Sequence, residues 1–260
     1  MVNNSIVIVG SGSSLCGSKL GSFIDEQDAV LRFGGGETCI PAISELAEDV
    51  GSKTTHLIQN FNLAALRRFN RRISLQAGFY FNLDKIILVH RGSHNVVSNC
   101  IALQNYNKFV RAGLDVEIVH IAEYVQQELE NYSVWLKEET NGTLNEMFLS
   151  MFDGEENTTS GFFSVLHAIN MSQYDIIYLC GFDSLLSSVP IEKDPIHFYG
   201  SPFELEFGHN LFNESRLILA LKEHIGRIRI LHTKQPFPAN GKIEVGYRIN
   251  RRFKIRVLST

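Results

Sequence analysis

Apolar residues in the first half of the chain come in short β-branched runs separated by turns, the pattern of strands buried on both faces. Ile6 to Val9 is the first run, and it stops at once in "GSGSSLCGS", a tight turn that exposes backbone. "AVLRF" at 29–33 is a second, closed by Gly34-Gly35-Gly36, and "KIILVH" (85–90) and "VEIVHI" (116–121) read as two more buried strands. Between these last two the spacing changes. In "CIALQNYNKFVRAGL" the positions Ile101, Leu103, Tyr106, Phe109 and Val110 fall at helical intervals, and Gly113 is placed to stop that helix. Residues 160–171, "SGFFSVLHAINM", predict a helix that opens on Ser-Gly, carries His167 as a packing residue and feeds the strand "DIIYLCGF" (175–182). "NESRLILALKEHI" (213–225) restores helical spacing through Leu217, Leu221 and Ile225.

Strands alternating with helices predict an α/β fold: a Rossmann-like domain with a mostly parallel central sheet and helices on both faces. A length of 260 residues fits one such domain. Within it, 1–182 reads as a ligand-binding core, 183–212 as an active-site loop region rich in Pro, Ser and Gly, and 213–260 as a C-terminal helix and strands. From Tyr247, apolar Ile249, Phe253, Ile255 and Val257 alternate with Arg248, Asn250, Arg252, Lys254 and Arg256, broken only by Arg251, which predicts a strand with one cationic face. Two uses stay open for it: an edge protected by charge, or contact with an anionic membrane or lipid-linked glycan.

A composition of 44% hydrophobic and 20% charged residues with a net charge of -4 is that of a globular enzyme, and it disfavours a general nucleic-acid binder. No apolar run approaches the roughly 20 residues of a spanning helix, and "MVNNSIVIVG" lacks the basic start of a signal peptide. The expectation is a cytoplasmic protein, or a chain cut from a membrane anchor. Cys16, Cys39, Cys100 and Cys180 form no C-x-x-C pair and have no His at zinc-finger spacing, so neither structural zinc nor a disulfide framework is expected.

Candidate chemistry gathers at four places. "VGSGSSL" (9–15) puts Gly10, Ser11, Gly12 and Ser13 where a strand meets a turn, so backbone N–H groups can approach a phosphate. A dinucleotide fingerprint would place glycine at Leu15 and an acid after the second strand; Arg32 there leaves open an NADP reader that contacts the 2′-phosphate. "NTTSG" (157–161) brings Thr159, Ser160 and Gly161 to a predicted helix N-terminus, which suits either a bound anion or an ordinary N-cap. His197, with Tyr199 in "IHFYG", and His209 in "FGHNLFNE" lie in loop context, where imidazole can take a proton near neutral pH; Glu214 could orient His209 or start the next helix.

Taken together, these stretches resemble the sialyltransferases. "VIVGSGSSLCGSKLGSFIDEQDAVLRFGGGET" with "EDVGSKTTHLIQN" resembles the large sialylmotif of the animal Golgi family, including its "I-D-x-x-D-x-V-x-R" segment and its "D-V-G-x-[KR]-T-T" turn. "TTSGFFSVLHAINMSQYDIIYLCGFDS" resembles the small sialylmotif, and its "I-Y-L-x-G-x-D" ending is also similar to bacterial lipooligosaccharide sialyltransferases. "HFY" (197–199) looks like the third motif, and "HNLFNE" has the H-x4-E spacing of the very small one.

The resemblance implies a variant GT-A-type glycosyltransferase that performs an inverting, metal-independent transfer of sialic acid from CMP-sialic acid to a sugar hydroxyl. No cofactor is implied, and the chain has no D-x-D triplet. His209 would accept the hydroxyl proton, while His197 and Tyr199 would donate to the departing CMP phosphate with help from the Ser160 and Gly161 N–H groups. Gly10, Ser11, Gly12, Ser13, Arg32, Gly34, Thr159 and Glu214 would line or support the substrate site. The "V-G-S-K-T-T" turn would support architecture rather than give His56 a proton-transfer role. The implied partners are the nucleotide sugar and a glycan, free or lipid-linked, with acceptor choice in the loop from Leu185 to Phe207 and in the segment of Arg67, Arg68, Arg71 and Arg72. Where the family has asparagines that contact the nucleotide, this chain has Ser11 and Gly34; where it has a disulfide, this chain has Ile6 and Ser172. That loss favours a reducing compartment, peripheral on an inner membrane face, over the Golgi lumen of an anchor-trimmed chain. A Kdo transferase using a CMP ester, and a non-catalytic nucleotide-sugar-binding protein, remain alternatives.

Overall fold

The computed structural model describes residues 4–15, 17–33, 47–60, 83–90, 113–120, 158–185, 211–231, 243–246 and 254–257, together with helical positions between 106 and 111 and between 124 and 138. Seven parallel strands make the main sheet: β1 (Ser5–Val9), β2 (Ala29–Phe33), β3 (His56–Asn60), β4 (Lys85–His90), β5 (Asp115–His120), β6 (Ile176–Cys180) and β7 (Ile228–Ile230). Their order across the sheet is β5-β4-β3-β2-β1-β6-β7. The chain therefore winds outward from β1 in one direction as far as β5, then returns to the other side of β1 for β6 and β7. The reversal falls between β1 and β6, whose registers pair Ser5 with Ile176 and Val9 with Cys180.

Both faces of the sheet are covered, as the unbroken apolar runs require. Alternation along β1 sends Ile6 and Ile8 to one core, and Val7 and Val9 to the other. On the first face lies helix α3 (Ser160–Asn170), buried from Gly161 to Ile169 because it is apolar almost all round. Outside α3 packs α4 (Leu211–Ile225), whose Leu217, Ile218 and Leu221 join the same core. On the opposite face α1 (Gly21–Glu26) inserts Ile24, and α2 (Ala47–Val50) inserts Val50.

Most predicted elements appear with ends shifted by one or two residues, and the expected Rossmann-like α/β class is the one observed. Gly113 does end its helix, with φ +81 and its N–H on the Val110 carbonyl. Two elements differ. β7 carries no run long enough to read as a strand; it exists because β6 offers it a parallel edge, with Ile177 beside Ile228. The single cationic strand expected from Tyr247 is described only over β9 (Lys254–Val257), which pairs antiparallel with β8 (Ile243–Gly246) and sets Glu244 opposite Arg256. No helix among the described residues is long and apolar enough to cross a membrane.

Candidate functional site

The carboxyl ends of β1 and β6 define a crevice at the reversal point, the place where open parallel sheets bind ligands. The loop after β1 and the loop after β6 are laced together there. Gly10 donates its N–H to the Cys180 carbonyl at 2.8 Å, and Gly12 donates to the Gly181 carbonyl at 2.8 Å. A Cβ on Gly10 would drive into the Gly181 carbonyl, and one on Gly12 into the Asp183 carboxylate. These glycines are needed for close approach of two loops. The expectation that their N–H groups face a phosphate is thus corrected, because β6 and the turn after it accept from both.

Asp183 opens a short 3-10 helix, Asp183–Leu185. Its carboxylate accepts the Ser14 N–H at 3.1 Å and the Ser14 hydroxyl. Asp183 falls at the end of the stretch that resembles the small sialylmotif, where no local pattern marks its contact with Ser14.

The third wall is the start of α3. Thr159 is its N-cap, and its hydroxyl oxygen accepts the Phe162 N–H at 3.0 Å. Glu214, from the first turn of α4 and only 3% exposed, accepts the Thr159 N–H at 2.6 Å and the Thr159 hydroxyl at 2.5 Å. An anion is present at this helix N-terminus, then, and it is a side chain of the protein. Glu214 thus lies in the first turn of α4 and ties it to α3; His209, which it could also orient, lies outside the described residues. Gly161 sits behind Thr159 against Phe33 and Phe182, whose rings meet edge-on at 6.0 Å.

Arg32 is on the other face of the sheet. Phe33 points with Leu31 towards α3, so Arg32 points with Val30 towards α1 and α2. It is 0% exposed, and its guanidinium donates to the carbonyls of Val50 (2.6 Å) and Lys53 (3.1 Å) and to the Thr54 hydroxyl (3.0 Å). The expected substrate contact is corrected to a buried clamp on the "VGSKT" turn, since β-strand alternation turns this side chain away from the crevice. The same turn is held from outside by Asp25, whose carboxylate accepts the N–H groups of Ser52 and Lys53 and the Ser52 hydroxyl. Gly51 has φ +69, and a Cβ there would crowd Asp25. Asp49 reaches the other way and accepts the N–H groups of Gly17 and Lys19. "EDVGSKTTH" is therefore a bracket joining α1, β2 and the loop after β1.

Neither His56 nor His167 belongs to the crevice. His56 begins β3, at the opposite end of that strand from the crevice; it is buried with its Nδ1 2.8 Å from the Thr55 hydroxyl, and burial lowers its pKa. His167 stacks on Phe163 in α3, and burial pushes its pKa down to about 4, so it is neutral at pH 7. Gly34, His197, Tyr199 and His209 lie outside the described residues, as do Arg67, Arg68, Arg71 and Arg72; the Ser13 side chain does too.

The family model described as glycosyltransferase family 29 (sialyltransferase) matches residues 4–225. No curated protein matches the chain in sequence. Among solved structures, a mammalian sialyltransferase is 18% identical with a TM-score of 0.52, over 89% of this chain and 70% of that one. A mammalian sialyltransferase in complex with Gal-beta-1-3GalNAc-ortho-nitrophenol is 18% identical with a TM-score of 0.51, over 90% of this chain and 71% of that one. At that identity the likeness establishes the shared fold.

Proposed function

The chain belongs to glycosyltransferase family 29, the sialyltransferases, and we propose that it transfers sialic acid from CMP-sialic acid to a sugar hydroxyl with inversion and without a metal. One observation carries the reading. Residues 186–210, which contain His197, Tyr199 and His209, leave from the crevice at Leu185 and return at Leu211, the first residue of α4. Glu214 ties that return to the N-cap of α3, and α4 also packs on the 3-10 helix Asp183–Leu185. Both ends of the segment that bears the candidate acid-base groups are thus anchored at the reversal point.

In this reading His209 takes the proton of the attacking hydroxyl while the anomeric carbon develops oxocarbenium character. His197 and Tyr199 donate to the departing CMP phosphate, with help from the Ser160 and Gly161 N–H groups. Ser11, between the two glycines that lock the loop, contributes to the nucleotide site. A phosphate monoester leaves with less charge than a nucleoside diphosphate, so protein donors suffice. The acceptor is a glycan, and the basic β9 strand gives the protein a contact with anionic membrane or a lipid-linked acceptor at an inner membrane face.

Purified protein with CMP-sialic acid and a panel of galactosides and sialosides tests this by CMP release and product mass. Acceptor-dependent release with one sialic acid added, unchanged by a chelator, is the expected result. His209→Ala is expected to abolish transfer and retain CMP binding. Turnover only with CMP-Kdo would replace the donor, and absence of CMP binding would remove the reading.

A further inference from the structure

The three residues that follow β6 meet three different parts of the crevice. The Gly181 carbonyl takes the Gly12 N–H, the Phe182 ring lies against Gly161, and the Asp183 carboxylate takes both donors of Ser14. We propose that Asp183 is a positioning residue for the transfer reaction: it holds the Gly10–Ser14 loop in its donor-binding shape, acting through Ser14 rather than on the donor. This rests on the CMP-sugar reading of the crevice.

Geometry and charge both lead there. The two oxygens are used separately, Oδ2 by the Ser14 backbone and Oδ1 by the Ser14 hydroxyl. A carboxylate so held has its lone pairs directed into the loop. Left loose in the crevice, it would repel a nucleotide phosphate. Gly12 completes the arrangement, because a Cβ at that position would occupy the space of Asp183 Oδ1. The bridge spans a long stretch of chain between residues 14 and 183, so it fixes the turn after β1 to the turn after β6 directly rather than through the strands. The 3-10 helix that carries Asp183 also packs against α4, so the brace extends from the loop after β1 to the helix that ends the histidine-bearing segment.

The test compares wild type, Asp183→Ala, Asp183→Asn, Ser14→Ala and the Ser14→Ala/Asp183→Ala double variant. The readouts are donor saturation kinetics with CMP-sialic acid, CMP titration, and amide hydrogen exchange over residues 11–15. Each alanine variant is expected to raise donor KM and the CMP Kd about tenfold, or ~1.4 kcal/mol, with a much smaller change in kcat. The double variant is expected to be no worse than Asp183→Ala, because both substitutions remove one shared contact. Asp183→Asn keeps an acceptor for the Ser14 N–H and is expected to restore most of the donor KM. Faster exchange of residues 11–15 in Asp183→Ala supports the brace. Losses that multiply in the double variant, or unchanged exchange, overturn it. If Asp183→Ala does not fold, Ser14→Ala removes only the hydroxyl contact, and its kinetics and exchange decide in the same way. A wild type that binds no CMP defeats the donor reading, and loop exchange in Asp183→Ala then decides the brace alone.

Discussion

Arg32 carries its charge at 0% exposure, so the carbonyls of Val50 and Lys53 and the Thr54 hydroxyl replace the water it has lost. Removing it leaves buried acceptors unmade at about 1–3 kcal/mol each, and Arg32→Leu is expected to cost about 3 kcal/mol or more in urea denaturation. CMP affinity of the folded variant should hold; a substrate-binding arginine would show the reverse, lost affinity at unchanged stability. His167 has lost water too, and neither ring nitrogen has a hydrogen-bond partner among the described residues. Its folded pKa of about 4 lies below the unfolded value of about 6.5, so the neutral form is the one the fold tolerates. Its contribution is complete above the unfolded value and is lost as pH falls towards 4. His167→Leu is accordingly expected to lose less stability than wild type over that interval, read as the denaturation midpoint against pH. His56, shifted in the same direction, adds to the acid sensitivity that remains.

Contacts between elements grade the glycines. A Cβ on Gly10 meets a backbone carbonyl that cannot swing aside, whereas one on Gly161 meets the flexible edges of Phe33 and Phe182 at 3.3 and 3.4 Å. Gly10→Ala is expected to cost about 3 kcal/mol or more and Gly161→Ala under about 1 kcal/mol, compared by thermal melting. Glu214 joins two helices through one residue, and it places a negative charge where the dipole of α3 favours it. Glu214→Gln keeps the shape, gives up one acceptor and the charge, and is expected to destabilise by about 1–2 kcal/mol in urea titration. The cap at Thr159 was legible in "NTTSG". Its carboxylate partner, 55 residues away, was not, because an N-cap shows locally whereas a bidentate acceptor arrives only when α4 packs on α3.

For the molecule as a whole, the reversal of strand order matters most: it brings residues 10–14, 159–161, 183 and 214 together at the carboxyl ends of two central strands. The β8–β9 hairpin follows the end of the family match at residue 225. Replacing Lys254 and Arg256 by Ser is expected to weaken sedimentation with anionic vesicles by about 1 kcal/mol for each charge removed, with CMP binding unchanged. Equal sedimentation of variant and wild type would leave the cationic face as edge protection alone.

Hydrophobic period, turn glycines and ordered motifs by themselves determined the α/β class, five of the seven parallel strands and the sialyltransferase family, because a buried strand or a helix writes its period into a few adjacent residues. Only the tertiary structure decided which way Arg32 faces, that the N–H groups of Gly10 and Gly12 belong to the protein, that Glu214 occupies the N-terminus of α3, and that Asp183 grips Ser14. Each of these depends on groups far apart in sequence, and no local pattern records what a side chain meets once the sheet has closed around it.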